Sequence, residues 1–498
     1  MPRNLKDELD NEVLRARRTW LRMPAIGMES EFNVWLDEVE IIPEDYWKHP
    51  QAFIDQPLLA REKTSSHLPT GGAVYFDRGV IEVVTPVIEL APSCTARMVR
   101  NLWEQIGFVR DQLTQWGERT GHTVRLKAYS SHYNISYEIP RRQQTRHRNI
   151  QKLALLLAYL LPVPVMVAGA NRRSTGVGVR PRGNRIEITV DFTPDPGLML
   201  ATATLIVGIV RDVIAWPSYE LSMLEKLPLP IIAGVVPGKH TTRKGWLTKD
   251  FHYESSPYLS DINAPLWTTQ YGEKKSLRQI AKDVAFFFRR SIREYSDPFS
   301  FRLLFAILDG RAPSLLELSD RPAAYEDVGR LCRWGMVIEE LRKLPEIEPP
   351  ACEEYVIERQ RERVKHEEAI APRRHIAAKS EEEPREIIEP PRPRPIMPLY
   401  IERRVVSLLP ERKRDRRKKS DRRKQQYATP FPDRRLTRSA YEQVFLKLVS
   451  GGRLRLGNDL YRPVGMKGWY HAIFRRDSDG AERLLTIDQL LGKMADWV

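Results

Sequence analysis

The sequence predicts an α+β protein in three parts: a large mixed domain over residues 1–344, a charged linker over 345–433, and a small β-rich module over 434–498. Strand-like and helix-like apolar periodicities alternate through the first part. The composition changes sharply near Leu344, where Pro, Glu, Arg and Lys replace apolar residues. Short β-rich runs return after residue 433. A chain of 498 residues, 42% of them hydrophobic, is long enough for more than one domain.

The first predicted strand carries two acidic residues that share a face. Glu29 and Glu31 lie in the run 27–36, and side chains two apart on a strand point the same way. Paired carboxylates on an apolar strand are costly unless a cation or hydrogen bonds compensate them. The pair therefore indicates either a site for a hard cation or a solvent-facing strand edge.

A β-hairpin is predicted over residues 71–86, with its turn at Asp77-Arg78-Gly79. The turn explains Asp77 structurally, since an aspartate there bonds the local backbone. Glu82 lies among the β-branched residues Ile81, Val83 and Val84, and a position on the exposed surface does not explain a carboxylate in this apolar strand. Glu82 is accordingly a second candidate metal ligand.

Apolar positions at helical spacing predict an amphipathic helix over 94–120, followed by a strand over 123–137. His132, Asn134 and Ser136 share one face of that strand, where the histidine is either structural or a ligand. The apolar run 153–170 predicts a buried helix followed by a strand. Pro162 and Pro164 interrupt this run and make a membrane span a poorer interpretation.

The segment 168–191 is rich in arginine and glycine. It contains five arginines and four glycines, and it ends in a strand that carries Glu187 and Thr189 on one face. The guanidinium group of arginine can donate paired hydrogen bonds to a phosphate or a carboxylate, and glycines allow the backbone to approach a ligand. The pattern predicts an anion site, with a solvated basic loop as the alternative; the candidate residues are Arg172, Arg173, Arg180, Arg182 and Arg185.

Helices are predicted over 197–216, 276–295, 299–309 and 323–344, and the linker follows. Its block 411–424 holds ten basic and three acidic residues, a net +7 of the total +15. Such a block is either a solvated linker or a weak contact for nucleic acid or an acidic partner. In the module, strands are expected at 453–456, 460–464, 469–476 and 484–486, with a helix over 487–497. A basic, aromatic face on these strands suits an anionic partner.

The three cysteines lack disulfide or zinc spacing, which predicts free thiols in a reducing compartment; they are Cys94, Cys332 and Cys352. The N-terminus is charged and has no apolar signal region, so the expected location is the cytoplasm, without membrane insertion.

The order of these features resembles the glutamine synthetase and glutamate–cysteine ligase superfamily of carboxylate–amine ligases. The motifs are GMESEF at 27–32, SHYNIS at 131–136, and ANRRS followed by VRPRGNRIEITVD over 170–191. The hairpin GGAVYFDRGVIEVVTP is similar to that of the Pup ligase and deamidase branch. The resemblance covers residues 23–215. Two positions depart from the glutamine synthetase pattern, Asn134 and Thr189, which argues against ammonia and glutamate as the substrates.

The resemblance implies a glutamine synthetase-like catalytic domain with a curved, mainly antiparallel sheet. It implies ATP as a substrate and Mg²⁺ or Mn²⁺ held by Glu29, Glu31, Glu82, His132 and Glu187. Arg180 and Arg185 would clamp the phosphates, and Asp77 would act as the base for the amine, although its spacing to Glu82 is one residue shorter than in the Pup ligase pattern. The partners would be an amine and a carboxylate, as small molecules or peptide tails, and related proteins often form homo-oligomers.

Three functions stay open at this point. The first is an ATP-dependent ligase that forms an amide bond through an acyl phosphate. The second is a deamidase on the same scaffold, and the third is a non-catalytic protein that binds nucleic acid or an acidic partner through 411–424 and the module. Retention of the whole acidic and histidine set favours catalysis.

Overall fold

Twelve strands form one sheet in the computed structural model, which describes residues 21–61, 65–139, 143–172, 174, 176–193, 195–240, 244–317 and 438–498. The strands are β1 (Ala25–Leu36), β2 (Val39–Ile41), β3 (Leu59–Ala60), β4 (Ser66–His67), β5 (Ala73–Asp77), β6 (Val80–Val84), β7 (Ile88–Glu89), β8 (Val124–Ser136), β9 (Val177–Arg182), β10 (Arg185–Val190), β11 (Gly238–Lys239) and β12 (Trp246–Thr248). Their order is β11-β12-β9-β10-β8-β1-β6-β5-β4-β3, and β2 and β7 also pair with β1. A separate two-stranded sheet consists of β13 (Trp267–Thr268) and β14 (Lys274–Lys275). Every pairing is antiparallel, as predicted.

The sheet has one apolar face, and helices cover it. The helices of the N-terminal region are α1 (Pro43–Tyr46), α2 (Cys94–Thr120), α3 (Ile150–Leu160), α4 (Pro162–Gly169), α5 (Pro196–Ile214), α6 (Ser222–Lys226), α7 (Leu277–Phe287), α8 (Arg289–Tyr295) and α9 (Pro298–Leu308). Met28, Phe32 and Ile188 are fully buried, and α2 packs on β1, β6 and β8. Because side chains alternate along each strand, this packing sends the odd-numbered residues Glu29 and Glu31 to the opposite face.

The predicted hairpin and the predicted amphipathic helix are confirmed. The turn between β5 and β6 has positive φ at both Arg78 (54°) and Gly79 (90°), which matches the twist of a tight hairpin. Helix α2 spans Cys94–Thr120 and ends at Gly121, whose φ is 77°. Such a left-handed glycine is a common helix terminator.

Two predictions about the secondary structure of the N-terminal region are wrong. The strand expected after the buried helix is the helix α4, which begins at Pro162. A proline in the first turn of a helix loses no hydrogen bond, so the valines of this run, which favour strands, misled the prediction. The helix expected over 276–295 is divided into two helices, α7 and α8, which meet at Phe288. The Phe288 side chain is fully buried and stacks on Trp216, with 6.0 Å between ring centres.

Helix α5 is long and apolar enough to cross a membrane by length and composition, but 89% of its apolar window is buried against the rest of the protein. It packs against α2, α4 and α8. Cys94, at the start of α2, is a buried free thiol, as predicted. The predicted helix over 323–344, the linker, Cys332 and Cys352 lie outside the described residues.

The C-terminal module is a four-stranded antiparallel meander, as predicted, with a helix before it that was not predicted. Its elements are α10 (Ala440–Val449), β15 (Leu454–Leu456), β16 (Asp459–Lys467), β17 (His471–Arg476), β18 (Glu482–Thr486) and α11 (Ile487–Leu491). Trp469 and Tyr470, expected at the start of a strand, lie instead in the turn between β16 and β17. The expected helix over 487–497 is shorter, and α11 ends at Leu491.

The module belongs to the same compact unit as the large sheet. Strand β16 packs against β3, and the partly buried Leu59 and Val87 of the N-terminal region pack against the module core. Glu89 accepts a hydrogen bond from the backbone N–H of Ala440 at 2.5 Å, at the first residue of α10. The module is therefore joined to one end of the sheet by apolar and polar contacts.

Candidate functional site

A row of polar side chains crosses the face of the sheet opposite α2. Glu31 lies beside Glu82 of β6 and Ser130 of β8, and Glu29 lies beside His132 of β8. The row continues onto β10 and β9, where Glu187 is paired with Arg180. Strand register alone thus brings together residues that lie up to 158 positions apart in the chain (Glu29 to Glu187).

Glu29 is the most extensively hydrogen-bonded carboxylate of this row. Its Oε1 lies 3.1 Å from His132 Nδ1 and accepts a hydrogen bond from Asn134 Nδ2 at 3.2 Å, and its Oε2 accepts one from the Tyr75 hydroxyl at 3.1 Å. Burial by itself would raise the pKa of Glu29. The hydrogen bond and charge of His132, the charge of Arg185 and the amide of Asn134 outweigh burial and lower this pKa to about 2. Glu29 is therefore ionised at neutral pH.

Glu31 and His132 share a second set of contacts. Ser130 Oγ donates a hydrogen bond to Glu31 Oε2 at 2.5 Å, and His132 Nε2 lies 3.6 Å from Glu31 Oε1. Burial lowers the pKa of His132, but Glu29, Glu31 and Glu187 together raise it above its usual value. The histidine thus lies between two carboxylates, while its Nε2 is also 3.3 Å from Arg180 Nη2 and 3.2 Å from Ser130 Oγ.

Glu82 lies beside like charges in a buried position. Its side chain is 4% exposed. Burial, followed by the charges of Glu29 and Glu31, raises the pKa of Glu82 to about 10, although its hydrogen-bond contact with the Tyr75 hydroxyl acts in the opposite direction. A carboxyl group with this environment is a place where added positive charge would be strongly stabilising.

Arginines dominate the other end of the row. Arg180 forms an ion pair with Glu187, donates to Thr189 Oγ1 at 2.9 Å, and is 5% exposed. Arg182 Nε donates to the other carboxylate oxygen of Glu187 at 2.6 Å. Burial lowers the pKa of Arg182, but Glu187 raises it above its ordinary value. Glu187, which is 1% exposed, is therefore held by two guanidinium groups.

The remaining predicted residues are placed differently. Arg185 Nε donates to Asn134 Oδ1 at 2.7 Å, which joins the arginine end to the contacts of Glu29. Arg172 Nε donates to the backbone carbonyl of Leu316 at 3.1 Å. Asp77 lies at the end of β5, two residues beyond Tyr75 on the same side of the strand. Arg173 lies outside the described residues.

The donor set fits a hard divalent cation in chemistry and in charge. Carboxylate oxygens with one imidazole suit Mg²⁺ or Mn²⁺, and the raised pKa of Glu82 marks a deficit of positive charge. Within the part of the chain that the structure describes, no group of three or more His, Cys, Asp or Glu side chains has the arrangement of a formed metal site. The side chains hydrogen-bond to one another, so a bound cation would require them to reorient.

Three contributors to the site were not predicted from the sequence: Tyr75, Ser130 and Arg61. The first two had a usable signal, because Tyr75 lies two residues before Asp77 and Ser130 lies two residues before His132, on the same strand faces. Arg61 had none. Its guanidinium carbon lies 5.7 Å from the centre of the Tyr75 ring, a contact that depends on long-range packing.

No protein-family model matches the chain, and no curated protein matches it. Among solved structures, the crystal structure of the complex between prokaryotic ubiquitin-like protein Pup and its ligase PafA is similar, with a TM-score of 0.32 and 11% sequence identity. The similarity covers 58% of this chain and 65% of that chain. This chain thus spans just under two-thirds of the length of its structural neighbour, and the likeness is a coarse one.

Proposed function

We propose that this protein is an ATP- and Mg²⁺-dependent carboxylate–amine ligase that forms an amide through an acyl phosphate. One observation carries the proposal: the half-buried Glu29 and the buried Glu31 and Glu82 lie on the same sheet face as Arg180 and Arg182, which hold Glu187. Phosphoryl transfer to a carboxylate concentrates negative charge, and cations together with arginines must offset that charge.

Each end of the row has a separate task in this reaction. The acidic end, with His132 and Glu187, would hold Mg²⁺ or Mn²⁺, which supplies positive charge to neutralise the phosphates. At the other end, Arg180 and Arg185 bind and orient the ATP phosphates. The Tyr75 hydroxyl orients Glu29, to which it donates a hydrogen bond of 3.1 Å.

The chemistry proceeds in two displacements. The substrate carboxylate attacks the γ-phosphorus of ATP, the bond to the β-phosphate oxygen breaks, and ADP leaves. The amine then attacks the acyl carbon, phosphate leaves, and a proton passes from the amine nitrogen to a base. We assign that base to Asp77, which lies at the edge of the acidic group on the end of β5.

The test is ADP release by the purified full-length protein, screened against pairs of carboxylates and amines that include small molecules and peptide tails. Glu29→Gln and Glu187→Gln should lower turnover by at least about a hundredfold, since each removes a charge from the site. Glu118→Gln, on the exposed surface of α2, is the control and should match the wild type.

Unchanged ATP binding and turnover in both site variants would refute the ligase. Release of ammonia from a side-chain amide without ADP formation would instead establish the deamidase reaction. Salt-sensitive binding to DNA or RNA that is lost on deletion of 411–498, without any turnover, would support the non-catalytic function.

A further inference from the structure

The turn 468–470 of the C-terminal module reaches one side of the polar row. The Trp469 ring lies 4.7 Å from the guanidinium carbon of Arg61. The same guanidinium carbon lies 5.7 Å from the Tyr75 ring, and the Tyr75 hydroxyl donates to Glu29. A chain of contacts therefore runs from the module to the carboxylate at the centre of the site. Cation–π contacts of this kind hold a guanidinium in one orientation.

The next residue of the turn reaches the opposite side of the row. The Tyr470 hydroxyl accepts a hydrogen bond from Asn184 Nδ2 at 2.8 Å. Asn184 lies in the tight turn between β9 and β10, where it is flanked by the strand ends that carry Arg182 and Arg185. Anchoring this turn limits the movement of both arginines. Trp469 is thus connected to the acidic end through Arg61 and Tyr75, and Tyr470 contacts the turn of the arginine end directly.

Other contacts hold the module against the N-terminal region, next to the candidate site. The His67 ring of β4 stacks on the Phe445 ring, with 5.7 Å between ring centres. It also contacts the Trp469 ring edge-on, with 4.9 Å between ring centres. The backbone N–H of Met23, just before β1, donates to the Tyr441 hydroxyl at 3.2 Å. The module is therefore fixed to the strands that carry the site by contacts at β4 and at the start of β1.

We infer that Trp469 and Tyr470 are positioning residues of the candidate site, and that the module forms one of its walls. Trp469 orients Arg61 against Tyr75 and so fixes the hydroxyl that holds Glu29. Tyr470 fixes the turn that carries Arg182 and Arg185. The inference deepens the proposed function and rests on it for the ligands used as probes, but the contacts themselves can be tested without any ligand.

The ligand-free test is hydrogen exchange on the full-length protein. Tyr470→Phe should raise the exchange of the amides at 182–185, and Trp469→Leu should raise exchange in β5 and at the start of β1. Trp497→Phe is the matched control, because Trp497 packs against Phe474 inside the module, 5.9 Å between ring centres. Unchanged exchange at these segments in both site-facing variants would overturn the inference.

The ligand-dependent test uses Mn²⁺ alone and ATP with Mg²⁺ as probes. Tyr470→Phe should weaken ATP binding roughly fivefold, the effect of one neutral hydrogen bond, while the unfolding midpoint matches that of Trp497→Phe. Trp469→Leu should weaken Mn²⁺ binding, because Glu29 loses its fixed hydroxyl. Equal affinities in wild type and both variants would overturn the inference. If the exchange changes occur while the wild type binds neither probe, the positioning role stands and the proposed function fails.

Discussion

Replacing Glu82 by glutamine should stabilise the metal-free protein, although the residue is buried in the sheet. The raised pKa of Glu82, about 10, means that this carboxyl takes up a proton on folding at pH 7. The cost is about 1.4 kcal/mol for each pH unit above its ordinary pKa of 4.5, or about 3 kcal/mol at pH 7. Glutamine has the same shape and needs no proton, so the variant avoids this cost.

The sign of the effect sets its pH dependence. A carboxyl whose pKa is raised in the folded state destabilises the protein above its ordinary pKa, and the penalty grows until the pH reaches the raised value. The advantage of Glu82→Gln should therefore fall below about 1 kcal/mol at pH 5. Denaturant unfolding in EDTA at pH 5 and pH 7 measures both values, and Glu118→Gln serves as the control.

The same variant should lose stabilisation by metal. A ligand at a hundred times its dissociation constant stabilises a folded protein by about 2.7 kcal/mol. MnCl₂ at that excess should raise the free energy of unfolding of the wild type by about this amount. Glu82→Gln should show little of this gain. The reasoning is refuted if the variant is less stable than the wild type at both pH values and still gains as much from Mn²⁺.

Two further predictions concern the scaffold. Inside α5, a Cβ on Gly208 would lie 2.6 Å from the Ile292 Cα, so Gly208→Ala should lower the unfolding free energy by roughly 1–3 kcal/mol. Gly107→Ala, inside α2 where a Cβ meets open space, should raise it by up to about 1 kcal/mol, and denaturant titration compares the two. For His67, burial and then the charge of Arg61 lower the pKa to about 3. Between pH 6.5 and 3, His67 is protonated only in the unfolded chain. The free energy of unfolding should therefore fall by up to about 1.4 kcal/mol for each pH unit as the pH is lowered through this window, and His67→Gln should reduce that dependence.

The sequence was sufficient for the strands and for the faces on which the acidic residues lie. A two-residue period places Glu29 and Glu31 together whatever the fold, and β-rich neighbours place Glu82 on a strand. Strand order was not available from these patterns, since the pairing of β1 with β6 and β8 depends on packing between distant segments. The family resemblance implied a shared ligand set for these residues, which stays a prediction, and the strand register places them side by side.

Contacts between distant segments explain what the sequence did not reveal. Trp469 and Tyr470 have no local pattern that marks them as neighbours of the site, because only the packing of the module on β3 and on His67 of β4 brings them there. Together with the basic residues of the module strands, they predicted an anionic partner for the module. In the structure, one of the two rings contacts a cation of the same chain, Arg61.

The arginine end of the row leads to a final prediction. Arg180, one of the two arginines proposed to bind phosphate, and its neighbour Arg182 both hold Glu187, so ATP would have to compete with a buried carboxylate for the Arg180 guanidinium. Bound Mg²⁺ would take over the charge of Glu187, which frees the arginines for phosphate. ATP and Mg²⁺ should therefore bind cooperatively, and ATP should bind weakly in EDTA.

Glu187→Gln separates this coupling from a simple loss of the site. Without the carboxylate, Arg180 and Arg182 are released, so the variant should bind ATP more tightly than the wild type in EDTA. In Mg²⁺ the order should reverse, because the cation has lost a ligand. Titration calorimetry under both conditions measures the crossover, with Glu118→Gln expected to follow the wild type. Weaker ATP binding by Glu187→Gln in EDTA as well as in Mg²⁺ would mean that the arginines do not bind phosphate, and the assignment of this end of the row would be wrong.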